Sequence, residues 1–141
     1  MIKFIRIDHR LLHGQVVFSW SKSLQINRIL VVNDEAANDE FKKMSLELSK
    51  PQGIKLNIFT VENTLTKISK KDVRQFCESY SNVKEINYGG IIKKEGSKQF
   101  SNAIFLTENE IEDAKVLKSM GIKQFMQQVP TSKKEDLNTM I

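Results

Sequence analysis

Apolar residues along the chain form short strand-like runs, separated by stretches in which they recur at helical spacing. The continuous run RILVVN at 28–33 is typical of a strand covered on both faces. The pattern at 122–129 predicts a half-exposed strand near the edge of a sheet. Further runs rich in β-branched and aromatic residues predict strands at 2–7, 54–60 and, more weakly, 83–88 and 102–106.

Helices are predicted between these strands. Thr107 and Glu110 fit the capping box T-x-x-E, and Gly121 falls where the glycine after a helix belongs. Trp20 is expected to be a core residue rather than a platform for a sugar, because amphipathic helices bury such positions. Apolar residues recur at helical spacing in two earlier stretches: Val16, Val17, Trp20 and Leu24, and then Phe41, Met44 and Leu48 before Pro51.

Alternation of strands and helices predicts an α/β fold with an open, mostly parallel central sheet, helices on both faces and an antiparallel edge. Residues 1–141 are expected to form a single domain. Between the strands at 54–60 and 83–88, residues 61–80 show only helical spacing. This predicts one bent helix or two short ones and no strand there. Cys77 lies in that stretch and is interpreted as a small buried apolar residue.

Composition narrows the possible functions. The formal charge is +5, but the lysines are scattered and no aromatic residues interleave with them, so a nucleic-acid partner is not expected. No apolar run approaches the roughly 18 residues of a membrane span, and the charged start MIKFIRIDHR does not resemble a signal peptide. An intracellular protein is therefore expected. A single cysteine excludes an intrachain disulfide and a cysteine zinc cluster.

Candidate chemistry is concentrated in residues 8–15, DHRLLHGQ, which contain both histidines of the chain. His13 precedes a predicted helix, whose unpaired N–H groups and dipole favour an anion. Gly14 allows close backbone approach, and Arg10 supplies a fork of donors suited to phosphate oxygens. Asp8 or Asp34 is a candidate to orient the imidazole. These are the parts that a histidine nucleophile needs.

Two alternatives remain open for this loop. A histidine in a loop is often only a surface residue, and Arg10 with Asp8 would then form a structural ion pair. His9 is the competing nucleophile, but it follows the strand directly and has no neighbouring glycine. His13 is therefore the preferred candidate.

The stretch RIDHRLLHGQV at 6–16 resembles the opening of IIB proteins of the mannose/fructose/sorbose family of the sugar phosphotransferase system (PTS), which read R-I-D-D-R-L-I-H-G-Q-V. Three further stretches resemble the family in order along the chain: 29–36, ILVVNDEA; 87–90, NYGG; and 129–131, VPT. The resemblance covers most of the chain.

The resemblance implies a protein-N(pi)-phosphohistidine–sugar phosphotransferase. Nδ1 of His13 would accept a phosphoryl group from a phosphohistidine on a IIA protein or domain and pass it to a sugar held by the membrane subunits IIC and IID. The protein would be cytoplasmic and peripheral to the membrane, with no metal and no cofactor; a homo-oligomer is left open. The expected supporting residues are Asp8, Arg10, Gly14, Gln15, Asn33, Asp34 and Thr131.

Two departures from the family pattern stand out. His9 occupies the position of the family's second loop aspartate, and near residues 66–74 the sequence shows no counterpart of an apolar strand that the family has. Either that strand is missing from the protein, or a segment is absent from the sequence. The alternative function is a regulatory or partner-binding paralogue that does not transfer phosphate. The sugar cannot be read from this chain: a hexose, sorbose, an amino sugar and a glycosaminoglycan-derived disaccharide remain open.

Overall fold

The structure, a computed structural model, describes residues 2–70 and 84–141. They fall into two compact units, which are considered in turn: of the described residues, unit 1 contains 2–10 and 84–141, and unit 2 contains 11–70. In chain order the elements are β1 (Ile5–Asp8), α1 (Gly14–Leu24), β2 (Arg28–Val32), α2 (Asp34–Ala37), α3 (Glu40–Ser49), β3 (Lys55–Phe59), α4 (Val61–Lys70), β4 (Glu85–Gly90), β5 (Lys98–Ser101), β6 (Ile104–Leu106), α5 (Glu108–Ser119), β7 (Lys123–Met126), β8 (Glu135–Asp136) and a 3-10 turn (Leu137–Thr139).

Unit 1 is built on a four-stranded sheet in the order β1-β4-β7-β8. β1, β4 and β7 are parallel, and β8 closes the edge antiparallel to β7. β5 and β6 form a separate antiparallel pair. The mixed α/β fold with a mostly parallel sheet and an antiparallel edge is therefore confirmed. The core of the unit consists of Ile86, Tyr88, Ile91, Ile104, Leu106, Met126 and Leu137.

The strand predicted at 122–129, near the edge of the sheet, is confirmed by β7, but the expectation that it is half-exposed is wrong. Three of the four residues of β7 are buried, because β7 lies between β4 and β8 in the sheet. Gln124 tolerates burial because its side chain is fully hydrogen-bonded: Oε1 accepts from the Tyr88 hydroxyl at 2.8 Å, and Nε2 donates to the Ala114 carbonyl at 2.7 Å. A polar residue in a strand thus points inward when its amide is satisfied there.

The capping box of α5 is confirmed. The Thr107 side chain accepts from the Glu110 amide, while the Glu110 carboxylate accepts from the Thr107 amide at 2.8 Å. The carboxylate also accepts from Lys94 at 2.7 Å. Gly121 follows the end of the helix with φ +80°, the left-handed conformation that glycine adopts without a steric cost.

Unit 2 contains the parallel pair of β2 and β3, in register from Arg28 opposite Lys55 to Val32 opposite Phe59. Among the described residues of this unit, up to residue 70, four helices accompany the two strands: α1, α2, α3 and α4. The buried cluster of this unit is Val31, Ala36 and Leu46, against which Leu11, Leu12, Ile29, Leu56 and Ile58 pack. Trp20 is buried, as predicted.

One expectation about burial in unit 2 is wrong. β2 is not covered on both faces, because Leu30 and Val32 are 39% and 41% exposed. The apolar stripe that predicts α3 is also exposed and lies away from the buried Leu46. Met44 and Leu48 are each two residues from Leu46, which turns them about 200° around a helix of 3.6 residues per turn. The helix therefore packs through a narrower contact than its sequence pattern suggests.

The predicted helix after β3 is confirmed in its first part by α4, over Val61–Lys70. The rest of the prediction for 61–80, including Cys77 and the missing strand, lies outside the described residues. The single domain over 1–141 stays a prediction. Within the part of the chain that the structure describes, no helix combines the length and apolarity needed to cross a bilayer.

Candidate functional site

The carboxylate of Asp8, the last residue of β1, is held between two arginines. Its side chain is only 3% exposed. Oδ1 accepts from the Arg10 amide at 3.1 Å and from Arg10 Nε at 2.9 Å, while Oδ2 accepts from Arg10 Nη2 at 2.9 Å and Arg6 Nη2 at 2.8 Å. Arg6, Asp8 and Arg10 are called the arginine–aspartate triad below. Charge-assisted, two-pronged pairing of this kind fixes the guanidinium plane as well as its position.

Arg6 ties the triad to the neighbouring strands of the sheet. Its Nη1 donates to the side-chain oxygen of Asn87, in β4, and to the Gln127 carbonyl, just after β7, at 2.9 Å to the carbonyl. Asn87 is fully buried, and its amide also donates to the Gln127 carbonyl at 3.1 Å. Polar partners on three adjacent segments therefore surround a guanidinium whose side chain is 13% exposed.

The pKa values of the triad reflect competition between burial and charge. Burial alone would raise the pKa of Asp8, but hydrogen bonds from Arg10 and the charges of both arginines outweigh it, so this pKa lies below its ordinary value. The hydrogen bond to Asp8 raises the pKa of Arg10. Burial lowers the pKa of Arg6, with Asp8 opposing the shift. With all three groups ionised, the triad carries a net charge of one positive unit.

Two consecutive glycines at the end of β4 make room for these side chains. A Cβ added at Gly89 would overlap the Arg6 guanidinium. A Cβ at Gly90 would lie 3.3 Å from Arg10 Nη2, Asp8 Oδ1 and His9 Nδ1. The resemblance of 87–90 to the family's turn therefore has a physical basis, because side chains of β1 and its loop occupy the space that larger residues would fill.

Gln128 adds a further link between these segments. Its Nε2 donates to the Gly89 carbonyl, and its Oε1 accepts from Arg10 Nη2 at 3.4 Å. The amide side chain thus joins β4, the segment after β7 and the Arg10 guanidinium.

His9 is bound to the backbone of β4 through both its amide and its ring. The Gly90 carbonyl lies 2.8 Å from the His9 amide nitrogen and 2.9 Å from Nδ1. A carbonyl only accepts, so Nδ1 carries the proton in this contact. The side chain is 39% exposed, and Nδ1 lies 3.8 Å from Asp8 Oδ1.

His13, in unit 2, is the N-cap residue of α1 and is exposed. Its backbone is extended, with φ −138° and ψ 107°, and its side chain makes no capping hydrogen bond. The first turn of α1 contains no acidic residue. Nothing from His13's own side chain therefore occupies the N–H groups of that turn, and no local carboxylate offsets the positive end of the helix dipole.

Leu11 and Leu12 explain why His13 is held in this position. Both pack against the buried cluster of Val31, Ala36 and Leu46. Leu11 also has a left-handed backbone, with φ +61°, which costs a residue with a side chain roughly 1–2 kcal/mol. The packing of these two partly buried leucines anchors the strained turn and leaves the next side chain, the imidazole, exposed.

Gly14 and Gln15 follow at the exposed start of α1. A Cβ added at Gly14 would meet no atom within 4 Å. The packing of the protein therefore does not demand glycine at this position, and the open space beside the backbone remains available to a ligand.

Asn33 and Asp34 both have structural partners. The Asn33 side chain caps α2 by accepting from the Ala36 amide at 2.8 Å, and Asp34 Oδ1 accepts from the Val61 amide at 2.9 Å, at the start of α4. Thr131 is exposed in a loop braced by Gln127, whose Nε2 donates to the Ser132 carbonyl at 2.7 Å. The roles proposed for these three residues in phosphate binding stay predictions.

Sequence reasoning missed several residues that build the site in unit 1, both polar residues and glycines. A signal existed for some of them, since Arg6 and the 87–90 stretch stand in the motifs that carry the family resemblance. Across the described ranges, no group of three or more His, Cys, Asp and Glu side chains is placed to hold a metal ion. The missed residues are Arg6, Asn87, Gly89, Gly90, Gln127 and Gln128.

Comparison with known proteins identifies the class of protein to which this chain belongs. The family described as "PTS system sorbose subfamily IIB component" matches residues 2–78 and 65–141. The N-acetylgalactosamine-specific phosphotransferase enzyme IIB component 1 of Escherichia coli K12 is 30% identical over 151 residues, covering 96% of this chain and 96% of its own. The crystal structure of the IIBSor domain of the Klebsiella pneumoniae sorbose permease superimposes with a TM-score of 0.85 at 27% identity, covering 99% of this chain and 94% of that one.

The mannose-specific EIIAB component of E. coli K12 is also 30% identical, over 156 residues, and this chain spans 48% of its length. The fold and these matches define a component of a sugar phosphotransferase system. The chain belongs to the sorbose subfamily of PTS IIB components.

The matches also bear on the length of the chain. Alignments of 151 and 156 positions exceed its 141 residues, so each places gaps in it. The two family-matched segments overlap at 65–78, the region where the sequence lacks an expected apolar strand.

Proposed function

We propose that this protein is the phosphocarrier that receives a phosphoryl group on Nδ1 of His13 from phospho-IIA and delivers it to a sugar at the membrane subunits IIC and IID. The observation that carries the proposal is the position of His13, an exposed N-cap side chain that makes no capping bond at the start of α1. The mannose-specific relative is named an EIIAB component, which joins IIA and IIB in one name. This supports a IIA protein or domain as the donor.

The transfer requires no other reactant. The lone pair of Nδ1 of His13 attacks phosphorus, and the P–N bond to the donor histidine breaks with its electrons left on the donor ring. The N–H groups of Gly14 and Gln15, at the helix start, and the Arg10 guanidinium would bind the phosphoryl oxygens. In the second step a sugar hydroxyl bonds to phosphorus as the P–N bond of His13 breaks. The electrons of that bond stay on the imidazole, and the proton lost by the hydroxyl restores the neutral ring.

Exposure of His13 suits this two-step role. A carrier must meet one protein donor and then a membrane-bound acceptor, so its nucleophile has to be reachable from outside in both complexes. The protein would therefore work in the cytoplasm at the inner face of the membrane, held there by IIC and IID.

The test is phosphorylation by phosphoenolpyruvate, the general phosphotransfer proteins and IIA. The expected product is labelled protein that is labile in acid and stable in base, and that gives the 31P signal of an Nδ1-linked phosphohistidine. His13→Ala should abolish labelling while circular dichroism shows a retained fold, because loop substitutions of this kind usually change stability by under about 0.5 kcal/mol. Label that persists in His13→Ala would contradict the assignment. Absence of label in the unmodified protein would favour the non-catalytic paralogue.

A further inference from the structure

One edge of the Arg10 guanidinium is bound to Asp8, and the other edge is available to a ligand. Nε and Nη2 both donate to Asp8, whereas no acceptor for Nη1 is found among the described residues. The Arg10 side chain is 29% exposed. A guanidinium fixed in this way presents Nη1 outward at a defined angle, which is the arrangement that an incoming phosphoryl oxygen needs.

Asp8 fixes the Arg10 guanidinium, and Arg6 in turn fixes Asp8 from the buried side. Arg6 donates to Oδ2 of Asp8 and is itself tied to Asn87 and the Gln127 carbonyl. A chain of contacts thus runs from the buried centre of the sheet through a carboxylate to a partly exposed arginine. Without its inner anchor, the Asp8–Arg10 pair would lose its connection to β4 and the segment after β7.

The charges of the triad also indicate a role for Arg6. A carboxylate paired with Arg10 alone would cancel most of the attraction of Arg10 for a phosphoryl dianion. Arg6 compensates that carboxylate from the inner side and leaves the triad with one net positive charge. Because Arg6 is the less exposed arginine, its contribution is screened less by water.

We propose that Arg6 is a positioning residue for phosphoryl transfer, which acts by holding Asp8 so that Asp8 orients Arg10, and that this device requires glycine at position 89. The requirement follows because the Arg6 guanidinium occupies the space that a Cβ at Gly89 would fill. The inference rests on the proposed function for its purpose, but the geometry can be tested without phosphoryl transfer.

The first experiment measures the Arg10 Nε–H signal by 15N NMR in the full chain. The unmodified protein should show a protected proton with a shift removed from that of free arginine. In Arg6→Gln and Gly89→Ala the signal should move to the free position and exchange with water at least tenfold faster. Arg28→Gln is the matched control, because Arg28 is an exposed arginine that donates to Asn57 in another part of the molecule.

Arg6→Lys keeps a charge with fewer donors and guards against failure of Arg6→Gln to fold. It should give intermediate Arg10 protection. An unchanged Arg10 signal in the folded Arg6 and Gly89 variants would overturn the proposal, whatever the transfer assay shows. A changed signal supports the positioning even if the protein transfers no phosphate, so the two proposals fail separately.

The second experiment measures initial rates of phosphoryl acceptance over a range of phospho-IIA concentrations. Arg6→Gln should lower kcat roughly tenfold with little change in KM, because orientation of Arg10 matters most as charge moves in the transition state. In an Arg10→Ala background, Arg6→Gln should cause a much smaller loss of kcat, because only the compensation of the Asp8 charge is then left to lose. Equal losses in both backgrounds, or an effect on KM alone, would show that Arg6 does not act through Arg10.

Discussion

The Gly90 carbonyl accepts two hydrogen bonds from His9, one from the backbone amide at 2.8 Å and one from Nδ1 at 2.9 Å. The His9 ring, which stands in place of the family's aspartate, is therefore bound through Nδ1 to the carbonyl at the end of β4. We expect His9→Ala to leave phosphoryl acceptance largely intact, since the bond from the backbone amide survives the substitution. The measurement is labelling by phospho-IIA beside His13→Ala. Loss of label in His9→Ala with retention in His13→Ala would exchange the roles of the two histidines.

Gly14 offers a second test, because a Cβ there meets nothing within 4 Å. Gly14→Ala should leave the free energy of unfolding unchanged or raise it by up to about 1 kcal/mol, since alanine favours helix. Acceptance of phosphate should nevertheless fall, because the new methyl group would stand where the phosphoryl group approaches the backbone. Ser23→Ala, at an exposed position of the same helix, is the control. Unimpaired acceptance by Gly14→Ala would show that the phosphoryl group does not use that space.

The lowered pKa of Asp8 predicts an acid-sensitive fold. Burial opposes ionisation of this carboxyl, but the arginines outweigh burial, so its pKa lies lower in the folded protein than in the unfolded chain. Ionised Asp8 therefore stabilises the fold above the unfolded value of about 3.9, and this contribution is lost as pH falls through the folded pKa. Urea unfolding between pH 7 and pH 3 should show the decline.

Asp8→Asn should flatten that part of the pH profile and lower the free energy of unfolding at pH 7 by about 2 kcal/mol, since charged hydrogen bonds are lost. Glu112→Gln is the control, because its carboxylate lies on the surface and pairs with Lys115. If Asp8→Asn kept the full pH dependence of the unmodified protein, other carboxyl groups would be responsible.

Removal of the α5 cap should weaken unit 1. Thr107→Ala deletes the acceptor for the Glu110 amide and the hydroxyl that donates to its carboxylate at 3.1 Å. We expect a loss of about 1 kcal/mol in the free energy of unfolding, the usual effect of such a cap. Ser119→Ala, at the other end of the helix, removes a hydroxyl that donates to the Val116 carbonyl and should cost less. Equal losses from both would argue against a specific capping effect.

Where local rules determine the conformation, the sequence was a good guide. The T-x-x-E box and Gly121 act on neighbouring backbone groups, so α5 and its end could be predicted from a few residues. Residues 6–16 likewise identified the loop in which His13 is exposed.

Burial was harder to predict because it depends on which elements happen to be neighbours. In β1, Ile7 is 40% exposed whereas the Arg6 side chain is 13% exposed, the reverse of what hydrophobicity suggests. Arg6 can turn inward because Asn87, Asp8 and the Gln127 carbonyl, distant in sequence from one another, converge on it. β5, with the sequence KQFS, escaped prediction because such a short polar run has no period to detect.

Trp20 gives the protein an internal reporter. It is the only tryptophan of the chain, and it is buried in the helix that begins directly after His13. Its fluorescence should therefore be shifted to the blue in the native state and move to the red when α1 loses its packing. An optical signal read at this one indole will follow the stability of unit 2, so events confined to unit 1 need a different spectroscopic label.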